Sequence, residues 1–250
     1  MKKVWIFGDS FADPNDNDDI EYNFTSWHKR LGNVTNFAKC ATGPHYSLKE
    51  LYKLYNKFTK DDHIVFIISG GDRIHFHVSD DYDSDIIPED VMVDTKKDKI
   101  TLYSYDKDPP KKQMWYDDNV DSMKYAYKTF KEEIDTIVMK CESFLYSISR
   151  LQKCKVTAFL LDAKESYLRD RLNDDLFYLH NYSLTDASRE EFTNFDANRF
   201  PKNELRKNHL SEENHDIMED IVKTSIYKPF KKSFVDPTPF EADKDKFIYD

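Results

Sequence analysis

Ile64-Val65-Phe66-Ile67-Ile68 follows His63 as an unbroken run of β-branched and aromatic side chains. A strand that shows one face to water alternates apolar with polar residues, whereas one that is apolar throughout has to be covered on both faces. That requirement points to a parallel sheet with helices on either side, since crossover helices supply the cover. Lys3–Phe7, Val34–Ala38 and Lys155–Leu161 read as companion strands, so four are legible around residues 4, 35, 65 and 158.

Helical patterns fill the intervals. Trp27 and Leu31 predict a short helix over the first strand, ended by Gly32. Ser47 and Glu50 are spaced as a capping box, after which Leu48, Leu51, Tyr52, Tyr55 and Phe58 recur at helical intervals. The longest apolar stripe starts after Asp121 and runs through Tyr127, Phe130, Ile134, Ile137, Val138, Cys141, Phe144, Leu145 and Ile148 to Leu151. A last helix is expected from the N-cap Ser211, with Met218, Ile221, Val222 and Ile226 turned inward. The pattern describes an α/β chain with one domain over residues 1–229 and an insertion at about 74–120 that holds a small hairpin. Residues 162–206 read as a mixed, polar stretch, and 230–250 as a charged tail.

Composition narrows the partners. With 37 basic against 47 acidic residues the formal charge is −10. No broad basic surface is available for nucleic acid or for an anionic membrane, and neither is expected as a partner. Cys40, Cys141 and Cys154 are too few and odd in number for a disulfide framework. A reducing compartment follows, with Cys141 in the core of its helix. The apolar start of the chain ends at Gly8-Asp9, too early for a signal peptide, and no segment has the length of a bilayer span. The expectation is a soluble chain, cytoplasmic at synthesis.

The chemistry gathers at the strand exits. Val4–Phe7 runs directly into Gly8-Asp9-Ser10, which sets a hydroxyl at the carboxyl edge of the sheet, where open α/β folds bind their ligands. A serine hydroxyl attacks only when a base takes its proton, and His209, just before the last helix, offers that base. Backbone N–H groups at the turns of Ser10 and Gly43, each after a strand, are suited to hold a developing oxyanion. Two metal patterns are set aside. The acidic loop Asp13–Asp19 would need glycine and an acid where Asp18 and Phe24 stand, so it reads as a solvated loop. His75 and His77 could share a strand face but have no further ligands at a recognised spacing.

Taken together, Gly8-Asp9-Ser10, Gly43 and the segment His209-Leu210-Ser211-Glu212-Glu213-Asn214-His215 resemble the motif blocks of the GDSL-like, or SGNH, family of serine esterases and lipases. The resemblance implies a flavodoxin-like three-layer α/β/α sandwich and a catalytic Ser10 and His209. It also implies an oxyanion hole from the N–H groups of Ser10 and Gly43, and no cofactor or metal. The substrate expected is a small-molecule or carbohydrate ester with a short acyl group.

Two blocks depart from the family pattern. Where the family carries an asparagine donor, Gly71 or Asp72 stands here, and Arg73 is the available positive group. Where an orienting aspartate precedes the histidine, Arg206 stands, leaving Glu204, Asp196 or a backbone carbonyl as alternatives. These departures keep open a second expectation, a binding or structural protein on the same fold. The lysine-, asparagine- and tyrosine-rich composition is similar to SGNH-like proteins of tailed phages, which would make the chain virion-associated.

Overall fold

A computed structural model describes residues 3–14, 25–39, 42–69, 136–161, 174–180, 184, 210 and 212–230, and the backbone of 73–76, 91–94, 101–103, 134–135 and 181–183. Its centre is a five-stranded sheet in which every pairing is parallel. The strands are β1 (Lys3–Phe7), β2 (Val34–Asn36), β3 (Asp62–Ile68), β7 (Lys155–Leu160) and β8 (Phe177–Ser183), in the order β2-β1-β3-β7-β8. Taken by themselves, the five run 2-1-3-4-5, the flavodoxin-like doubly wound order. The chain first winds to one side of β1 and then to the other. Between β1 and β3 lies the resulting switch point, where ligands of such sheets are held.

Side-chain alternation along the strands divides the core in two. Trp5, Phe7, Ile64, Phe66, Ile68, Val156, Ala158, Phe177 and Leu179 face one side, beneath α1 (Pro44–Lys53) and α2 (Ile134–Gln152). Val4, Ile6, Val65, Ile67, Phe159 and Tyr178 face the other, beneath the 3₁₀ turn Trp27–Arg30 and α3 (Glu212–Thr224). Every residue of β3 is buried, as its unbroken apolar run requires. The result is a three-layer α/β/α sandwich.

Several local expectations change. α1 begins at Pro44 and not at Ser47, because proline is pre-shaped for the first helical turn and Gly43 takes the N-cap place. Ser47 is therefore inside the helix, and no capping box forms. α2 buries Ile137, Val138, Cys141, Leu145 and Ile148, but Leu151, in the last turn, is exposed; the stripe before Ile134 lies outside the described residues. α3 buries Met218, Ile221 and Val222. It stops at Thr224, and Ser225 takes a left-handed φ of 56°, which turns Ile226 out to solvent. The hairpin expected in the insertion is a three-stranded antiparallel sheet, β4 (Arg73–Phe76), β5 (Val91–Asp94) and β6 (Thr101–Tyr103). Its first strand lies beside α1.

The fifth parallel strand, β8, falls in the stretch read as mixed and polar. It is an edge strand, and its outer cover comes from a distant part of the chain. His180 stacks on Tyr227 at 5.2 Å and meets Phe230 edge-on at 5.1 Å, while its Nε2 lies 3.0 Å from the Lys228 carbonyl. Phe230 is buried by this docking, so the start of the expected tail belongs to the domain; residues 231–250 lie outside the described residues. Cys141 and Cys154 are buried thiols, neither joined in a disulfide. Burial pushes the Cys154 thiol up to about 11, making it a neutral core side chain. No helix among the described residues is long and apolar enough to cross a membrane.

β1 and β3 pass unusually close where β1 ends. A Cβ placed on Gly8 would stand 2.8 Å from Ile67 Cβ, and Gly8 has a φ of +157°. Gly8→Ala is expected to destabilise the fold by roughly 1–3 kcal/mol through overpacking. In urea denaturation the midpoint should fall with the slope unchanged. An unchanged midpoint would show that the seam yields without cost.

Candidate active site at the switch point

The turn that follows β1 is built from its own short polar groups. Asp9 is fully buried; its Oδ1 accepts from the Phe11 N–H at 3.2 Å, and its carbonyl accepts from the Ala12 N–H at 3.0 Å. This is the local bond by which aspartate stabilises tight turns. It leaves Ser10 at the bend, 7% exposed, with neither its N–H nor its hydroxyl bonded to any described residue.

Neighbouring elements fix the turn from three directions. The Gly8 carbonyl accepts from the Lys39 N–H at 3.1 Å and from Ser47 Oγ at 3.3 Å. Thr42 Oγ1 shares its hydrogen between the Lys39 carbonyl at 2.7 Å and that of Gly8 at 3.2 Å. The loop after β2 and the first turn of α1 are thus gathered at the residue two before Ser10. From the β2 side, Asn36 Nδ2 donates to the Ala12 carbonyl at 2.6 Å, while Asn36 Oδ1 receives the Ala38 N–H at 2.9 Å.

The third tie runs through Trp27, which is fully buried. Its Nε1 donates to the Phe11 carbonyl at 2.9 Å, and its backbone N–H donates to His215 Nδ1 at 3.2 Å. His215 lies in the first turns of α3, where its ring serves the fold as an acceptor. Arg30 pairs with Asp216 and Glu219 on the same helix. The turn carrying Ser10 and the amino end of α3 are therefore joined through a single residue. Leu210, just before α3, is buried in the same apolar cluster as Phe11, Ala12 and Trp27. Asp13, read from sequence as part of a solvated loop, is buried as well, because this packing draws the start of that loop inward.

Gly43 is buried as the N-cap of α1, and its N–H makes no hydrogen bond with a described residue. α1 has ten residues, and its first turn holds no acidic side chain to offset the positive end of its dipole. An anion formed near Ser10 would meet that end. At the opposite, amino-terminal edge of the sheet several buried polar groups are paired with one another. Trp5 Nε1 donates to Asp62 Oδ1 at 2.9 Å, and His63 Nε2 lies 2.9 Å from Thr157 Oγ1.

Among the residues singled out from sequence, Ser10 and Gly43 are thus brought to one end of the sheet through the Gly8 carbonyl. Arg73 opens β4, where it is level with Asp94 in the antiparallel pair; only its backbone is described. Asp72, Glu204, Arg206, Asp196 and His209 lie outside the described residues, as does His77. Among the described residues no group of three or more potential ligands could hold a metal ion. Trp27, Asn36 and Thr42 were missed in the sequence, since nothing in their local pattern marks them as supports of the turn. The chain matches no protein-family model and no curated protein.

Trp27→Phe keeps most of the ring and removes the donor to the Phe11 carbonyl. It is expected to cost about 1–3 kcal/mol, from the lost bond and the small void. Hydrogen exchange should quicken at the Phe11 and Ala12 amides more than in β3. Equal protection of the turn in both proteins would mean that Trp27 does not hold it.

Proposed function

We propose that the chain is an ester hydrolase that works through an acyl-serine intermediate at Ser10. One observation carries this reading: Ser10 stands at the topological switch point with its hydroxyl uncommitted, beside two uncommitted backbone donors, its own N–H and that of Gly43. Buried donors are rarely left idle in a fold, and donors aimed at a developing charge are the usual reason for sparing them.

In the proposed reaction Ser10 Oγ attacks the ester carbonyl carbon as His209 takes the hydroxyl proton. The carbonyl electron pair moves onto oxygen, where the N–H groups of Ser10 and Gly43 and the α1 dipole stabilise it, each donor by roughly 3–4 kcal/mol. Collapse of the tetrahedral species expels the alcohol, which receives the proton from His209. A water molecule, deprotonated by the same imidazole, then releases the acid and restores Ser10. The tie from the Ser10 turn through Trp27 to α3 supports His209 as the base, because Leu210, its neighbour in sequence, shares an apolar cluster with Phe11 and Ala12. Glu204, Asp196 or a main-chain carbonyl would orient the imidazole, and Arg73 would add positive charge. The preferred substrate is a short acyl ester or an O-acetylated carbohydrate.

A fluorophosphonate probe tests the reading without a guess at the ester. The parent chain should gain one phosphonyl group, mapped to Ser10 by peptide mass, and Ser10→Ala should gain none. Turnover of p-nitrophenyl acetate should fall by roughly 10⁴-fold in the same variant. A parent chain that stays unlabelled at Ser10 would overturn this reading in favour of a binding or structural protein on this fold.

A further inference from the structure

Three elements converge at the switch point, and two of them bring an uncommitted donor: the turn after β1 and the amino end of α1. The third is the exit of β3. Its first residue beyond the strand is Ser69, 2% exposed, with Oγ buried and without a hydrogen-bond partner among the described residues. The neighbouring Ile68 carbonyl is occupied, accepting from the Leu161 N–H at 2.9 Å, so the backbone here is fixed.

The position of Ser69 follows from the register. Phe7 pairs with Phe66, and Gly8 abuts Ile67 so closely that a Cβ would stand 2.8 Å away. Ser10 and Ser69 are each two residues beyond that contact, at the exits of adjacent strands that run the same way. A hydroxyl buried without a partner weakens a fold, and valine or alanine would fill such a place at less cost. At the amino edge of the same strand the buried Asp62 is satisfied three times over, by Trp5 Nε1, the Thr59 N–H and Thr59 Oγ1. Ser69 Oγ, one of several buried polar atoms without a partner among the described residues, lies at the edge that carries the proposed nucleophile.

We infer that Ser69 is a further donor of this site, its Oγ–H directed to the carbonyl oxygen of the bound ester and to the oxyanion that forms from it. The inference rests on the acyl-serine reading. It adds a side-chain donor from β3 to the two backbone donors from the β1 turn and α1. The substrate class it favours is one with a compact acyl group, since a donor seated this deep is reached only by a small carbonyl substituent.

The test compares the parent chain with Ser69→Ala and the similarly sized Ser69→Cys, each treated with the fluorophosphonate probe and each unfolded in urea. Both variants should label Ser10 more slowly by roughly 10²-fold, the loss typical of one oxyanion donor. Their urea midpoints should equal or exceed that of the parent, because the folded protein gives up no hydrogen bond. Unchanged labelling rates would overturn the role of Ser69 while leaving Ser10 as nucleophile. A lowered midpoint or failure to fold in both variants would overturn it too, by showing that the hydroxyl serves the fold. A parent chain unlabelled at Ser10 would remove the acyl-serine reading itself, and Ser69 with it.

Discussion

The carbonyl of Gly8 is the point on which the rest of this structure turns. It receives the Lys39 N–H, one arm of the Thr42 hydroxyl and the Ser47 hydroxyl. In doing so it closes the end of β1, the exit of β2 and the amino end of α1 around one oxygen. The absent side chain of Gly8 is the other half of the arrangement, since β3 occupies the space that a Cβ would need. A residue with a side chain would push β1 away from Ile67 and open the switch point that the 2-1-3-4-5 order creates. The position of Ser10 is therefore a consequence of how the first three strands and α1 are locked, and only secondarily of its own turn.

The two edges of the sheet differ in how they settle their polar groups. At the amino edge, carboxylate, imidazole, indole and hydroxyl meet one another within hydrogen-bond distance, and the aromatic side chains above them pack tightly. Trp5, for example, stacks on Phe37 at 6.2 Å and meets Phe58 edge-on at 5.4 Å. At the carboxyl edge the donors of Ser10, Gly43 and Ser69 have no partner among the described residues. A fold stabilised for its own sake would pair or eliminate these groups. Spared donors at the switch point are expected of a scaffold that holds a site.

How much of this was legible in the sequence depended on how local each cause was. β3 announces itself because burial on both faces leaves no polar position from Ile64 to Ile68. β8 was hidden because His180 and Asn181 interrupt its aromatic run, and its cover, Tyr227 to Phe230, comes from beyond α3. Ser47 and Glu50 fit a capping box by spacing, yet Pro44 set the helix start and a tertiary acceptor claimed the serine hydroxyl. In the site itself, Ser10 and Gly43 could be read from strand-turn signals. Trp27 could not, because its two partners are 16 and 188 residues away along the chain. Ser69 was passed over for the charged residues that follow it, although what distinguishes it is burial, which no spacing reveals.

The spared donors at the β1/β3 seam are proposed to converge on one reacting oxygen next to Ser10. The most direct measurement is a crystal structure of the chain after phosphonylation. Phosphorus should be bonded to Ser10 Oγ, with the phosphoryl oxygen at about 2.7–3.1 Å from the backbone nitrogens of Ser10 and Gly43. A phosphoryl oxygen turned out to solvent, with both nitrogens still unengaged, would contradict that convergence.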